Sequence, residues 1–137
     1  MRHLIKGGVC GVIFSFLYTV AVILNFFELD FSIIIYGAAV ISAVLAFVFF
    51  LNDRIMKTVT AFLVSIVSLF ICETVITWTG IINAAFKHVY GASAEMWAGD
   101  GFGMFIIFMF ASCGYLLGSI VALIVSIIKQ SISKRRE

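Results

Sequence analysis

A chain of 137 residues that is 64% hydrophobic and only 12% charged is excluded from the ordinary soluble domains. Those carry about 25% charged and about 45–50% apolar residues, and so small a globule has too little interior to hide the excess. A net charge of +2, concentrated near the chain ends, argues against nucleic-acid binding. Cys10, Cys72 and Cys113 lie in separate apolar runs with no CxxC pair or Cys/His cluster, so neither a disulfide framework nor a zinc site is indicated. No cofactor motif is present. The solvent this composition fits is a lipid bilayer.

A membrane-spanning helix needs about 20 apolar residues, and four such runs follow in chain order. The first covers 7–27 (GGVCGVIFSFLYTVAVILNFF). Arg2 and Lys6 precede it as the basic region of a signal peptide would, but the run is too long and LNFFELD lacks a small-residue cleavage site, so it reads as a retained span. Glu28, Leu29 and Asp30 then turn the chain tightly into the second span, 31–51. Asn52 to Lys57 make a second tight turn into the third span, 58–78.

The outer loop, 79–101, is the one connection with room for structure. Its apolar residues pair as Ile81/Ile82, Ala85/Phe86 and Val89/Tyr90 at the helical spacing of four. A short helix on the membrane surface is expected there, then a flexible return through Gly91, Gly99 and Gly101, with Trp78 and Trp97 marking the interface. The fourth span covers 102–128 and a basic tail, 129–137, ends the chain. The sequence has no proline, which favours continuous helices over the interrupted ones of many transporters.

Charge orients the spans. Arg2, Lys6, Arg54, Lys57, Lys129, Lys134, Arg135 and Arg136 all fall on one side, and Lys87 alone on the other. The positive-inside rule places both termini in the cytoplasm, in the cell membrane. The predicted fold is an all-α polytopic membrane protein. It is a compact bundle of four transmembrane helices forming one integral domain over 1–137, with a short extracytoplasmic interfacial helix between spans three and four.

Because lipid is as apolar as leucine, membrane helices associate by close approach through small residues. Each span carries a stripe of them: Gly7, Gly11, Ser15 and Thr19; Ala38, Ser42 and Ala46; Ala61, Ser65, Ser68 and Cys72; Ala111, Gly114, Gly118 and Ala122. We read these stripes as packing within the chain. A homodimer face at Gly114 and Gly118 is the other reading of GYLLG.

Glu73 is the outlier, since a lone carboxylate inside a membrane costs about 2.5–3.5 kcal/mol at the centre and less near the interface. It stands 16 residues beyond Lys57, about 24 Å along a helix, in the outer third of its span. Three roles compete: a proton or cation site, a docking group for a basic residue of another membrane protein, or a structural residue bonded to a hydroxyl. Thr77 lies one turn further out. Asn25 and Tyr36 are the groups of the other spans first expected beside it. Lys87, His88, Glu95 and Asp100 cluster in the outer loop without the spacing of a hydrolytic or metal motif. The chain is therefore not read as an enzyme. The leading expectation is a non-catalytic accessory, regulatory or immunity-type subunit working through contacts with another membrane protein. The alternative is a small proton- or cation-coupled transporter, oligomeric, with Glu73 as its titrating site.

Overall fold

The computed structural model describes residues 1–51, 54–96 and 98–137. Its elements are five helices: α1 (Arg2–Phe26), α2 (Phe31–Phe50), α3 (Ile55–Thr79), α4 (Ile81–Tyr90) and α5 (Ala98–Arg136). Four of them, all but α4, contain a stretch long and apolar enough to cross a membrane.

The local chemistry explains where each helix stops. Between α1 and α2, Glu28 adopts a positive φ of 59° and Asp30 caps α2, its side chain accepting from the Ser32 amide at 3.0 Å. An N-terminal cap of this kind satisfies one of the orphan amides of the first turn. Between α3 and α4 there is a single residue, Gly80, in the left-handed conformation with φ 68°, which a Cβ would disfavour. The described part of the turn between α2 and α3 is Leu51 and Arg54; Asn52 and Asp53 lie outside the described residues, as does Trp97.

α5 is longer than the predicted span at both ends. The glycines read as a flexible return, Gly99 and Gly101, lie inside its first turns, and the basic tail is helical through Arg136. Asp100 in the first turn and Lys134, Arg135 and Arg136 in the last match the polarity of the helix dipole, which favours anions at the start and cations at the end. At 39 residues α5 is about 58 Å long, far more than the roughly 30 Å of a hydrocarbon core.

α1 packs chiefly on α3, and α2 chiefly on α5. Both pairs are parallel. Gly7 abuts the backbone of Ala61 and Gly11 that of Ser65, while Gly114 abuts Ala39 and Gly118 abuts Ala43. At each of these four glycines an added Cβ would drive into a neighbouring carbonyl group. Tyr115 joins the pairs at the centre. Its hydroxyl meets the hydroxyl of Ser65 and, at 3.7 Å, the Cys10 sulfur. Its ring lies 4.7 Å from that of Phe14, 5.6 Å from Phe50 and 6.0 Å from Phe62. Nearer the end where α1 begins, Thr58 donates to the Phe50 carbonyl at 3.1 Å and lies 3.3 Å from the Ser126 hydroxyl. At the other end α4 is fastened by Phe86, buried and edge-on to Phe26 at 5.3 Å.

Gly114→Ala should lower the melting temperature of the purified protein, an overpacking change costing about 1–3 kcal/mol. Gly37 has nothing within 4 Å of where a Cβ would stand, so Gly37→Ala should be neutral or gain up to about 1 kcal/mol from the helix backbone. Equal melting of the two variants would show that close backbone contact does not hold the pairs together.

Candidate functional site

The register of α1 on α3 determines what faces Glu73. With Gly7 on Ala61 and Gly11 on Ser65, Glu73 comes abreast of Thr19. Side chains on a helix lean toward its N-terminus, and the Glu73 carboxylate accordingly reaches back one turn to Ser15. The Ser15 hydroxyl donates to Glu73 Oε1 at 2.6 Å, a short hydrogen bond between α1 and α3. Ser15 is fully buried and Glu73 half-buried. Thr19 is turned inward along α1, its hydroxyl donating to the Ser15 carbonyl at 2.9 Å. Tyr18 lies within electrostatic range of Glu73 and donates to the Met104 carbonyl of α5 at 3.4 Å. One helical turn back from Cys72, the Ser68 hydroxyl donates to the Gly8 carbonyl at 2.8 Å.

The other candidates are not gathered here. Asn25 is half-buried on α1, six residues past Thr19 and so about 9 Å further along the axis. Its amide nitrogen stands 3.6 Å from where a Cβ of Gly103 would be, placing it beside the first turns of α5. Tyr36 is 63% exposed and sits edge-on to Phe110 of α5 at 6.1 Å. Thr77 is exposed. The residue the sequence reading did not pair with Glu73 is Ser15. The signal for it is the four-residue stripe that Ser15 shares with Gly7 and Gly11, which turns its hydroxyl toward the helix that packs on those glycines.

Around this pair the protein offers little other chemistry. Among the described residues no three His, Cys, Asp or Glu side chains converge as metal ligands would. Lys87, His88 and Glu95 are exposed. A groove of about 520 Å³ between α1 and α2 is lined by Phe16, Val20, Ile33 and Gly37, and its wall is apolar apart from Asp30. Comparisons with protein families, curated proteins and solved structures found no match.

The Ser15–Glu73 bond is open to measurement against an internal control. Ser42 is fully buried in α2 and its hydroxyl has no hydrogen-bond partner among the described residues. Ser15→Ala should therefore destabilise the protein in lipid by about 0.6–1.7 kcal/mol, the range of hydrogen bonds between membrane helices. Ser42→Ala should cost nothing, since it removes a polar group left unsatisfied. Glu73→Gln keeps a carbonyl acceptor and should melt close to wild type. Thermal unfolding of the three variants in one lipid decides; equal loss in Ser15→Ala and Ser42→Ala would refute a stabilising bond.

Proposed function

We propose that this chain is a small integral protein of the cell membrane, with both termini cytoplasmic, that acts without catalysis as an accessory, regulatory or immunity-type subunit. Its four long helices form a compact bundle and α4 lies at the extracytoplasmic interface. Eight of the nine Lys and Arg residues on one side of the spans support that orientation. The amphipathic pairing of Phe86 and Ile82 toward the bundle, with Lys87 and His88 exposed, supports the placing of α4.

The observation that carries the reading is the open face of α3. Among its described residues only Thr58, Ala61 and Ser65 are buried. Leu63, Val67, Phe70 and Trp78 are exposed, Trp78 by 88%, and with exposed Thr74 they recur every three or four residues along one side. That spacing presents a continuous ridge suited to a partner helix. The centre of the bundle is meanwhile filled by the rings of Phe14, Phe50, Phe62 and Tyr115, which leaves one copy little room for a pathway. A second reading, an oligomeric proton- or cation-coupled transporter, is favoured by the half-buried position of Glu73, where an ionisable group inside a membrane is a functional candidate by default.

A photo-crosslinking residue at Val67 or Phe70 should give one discrete adduct in cells, and the same residue at Val40 or Val44, exposed on α2, should give none. Adducts from both faces, or from neither, would defeat the subunit reading. Reporter fusions at both ends should show cytoplasmic location. For the transporter reading, Glu73→Gln must abolish pH-dependent flux in vesicles while leaving abundance unchanged; persistent flux would end it.

A further inference from the structure

Because α1 and α3 are parallel and in contact from Gly7 onward, both begin at the same end of the bundle. Their first turns meet around a cavity of about 440 Å³ lined by Arg2, His3, Lys6 and Lys57. That volume lies within the roughly 300–1,000 Å³ of small-ligand pockets. His3 lies within electrostatic range of Lys57, so residues more than fifty positions apart in sequence share one charge cluster. No described carboxylate lines the cavity.

Like charges gathered on one cavity repel one another unless an anion lies among them. Neither α1 nor α3 has an acidic residue in its first turn, although the start of a helix is the positive end of its dipole and favours anions. Two parallel helices add their positive ends at one place, and the chain puts further cations there. The positive-inside rule calls for lysine and arginine on this side, but not for their convergence on one cavity. The second basic cavity of the same end differs on both counts. It is lined by Arg54, Lys129 and Lys134 together with Glu137, and it lies at the C-terminal end of α5, where cations suit the dipole.

We propose that the cavity formed by Arg2, His3, Lys6 and Lys57 binds the phosphate of an anionic phospholipid headgroup. The proposal rests on the membrane reading above, which brings this end of the helices to the headgroup layer. The walls supply cationic donors from two helices, and neither helix start carries a side-chain cap. A lipid held there clamps the starts of α1 and α3 together, beyond the last glycine contact.

The full chain would be reconstituted in nanodiscs of phosphatidylcholine alone and with phosphatidylglycerol, and its melting and lipid binding by native mass spectrometry compared. Phosphatidylglycerol should raise the melting temperature and remain bound. Each of Arg2→Gln, Lys6→Gln and Lys57→Gln should weaken binding roughly fivefold, in line with the surface contribution of one basic residue. The triple variant Lys129→Gln, Lys134→Gln, Arg135→Gln should retain the shift. Loss of the shift only in that variant, or equal loss in both sets, would overturn the site, and so would an equal shift from inorganic phosphate in phosphatidylcholine discs. Failure of the chain to enter either nanodisc would overturn the membrane reading and the site with it.

Discussion

Where Gly7 and Gly11 meet the backbones of Ala61 and Ser65, and Gly114 and Gly118 those of Ala39 and Ala43, two pairs of parallel helices approach without intervening side chains. In the lipid proposed above as its solvent, apolar burial would not select one arrangement of helices, and van der Waals contact and the few polar bonds would do so. The glycine contacts set the register to within one residue, and the register then distributes everything else. It brings Ser15 to Glu73, Ser68 to the Gly8 carbonyl, and the starts of α1 and α3 to one another.

The polar groups between the helices form a second level of order. Tyr115 touches all three other long helices, with its hydroxyl beside Ser65 and Cys10 and its ring among Phe14, Phe50 and Phe62. Thr58 links the end of α2 to α3 and α5. On the membrane reading proposed above such groups would have no water to turn to, and each bond would oppose sliding of one helix on the next. Glu73 belongs to this set geometrically, yet it differs in being a carboxylic acid and only half-buried.

Much of the fold was legible in the chain. The four apolar runs fall on α1, α2, α3 and α5, and the pairs Ile81/Ile82, Ala85/Phe86 and Val89/Tyr90 fall on α4. Such features depend on local composition and spacing. Helix partnership does not: a small-residue stripe states that something approaches closely, and is silent about which helix does. The glycines of α1 could have met α2, their neighbour in sequence, rather than α3. For the same reason Glu73 was read with Asn25 and Tyr36, by depth, when its partner Ser15 follows from register. α5 runs past the apolar stretch at both ends because glycines and basic residues that punctuate a loop in isolation can also be carried within a long helix.

Gly80 joins α3 to α4 as a one-residue linker. A longer loop would let α4 shift while α3 stayed still; this joint contains no slack chain to take up such a movement. A load applied to α4 through Lys87 or His88, both exposed, is shared between the last turn of α3, through Gly80, and the end of α1, where Phe86 packs on Phe26. Glu73 stands seven residues back from Gly80 along α3, about 10 Å, and Ser15 lies on α1, so the two helices that hold α4 are the two that this bond joins.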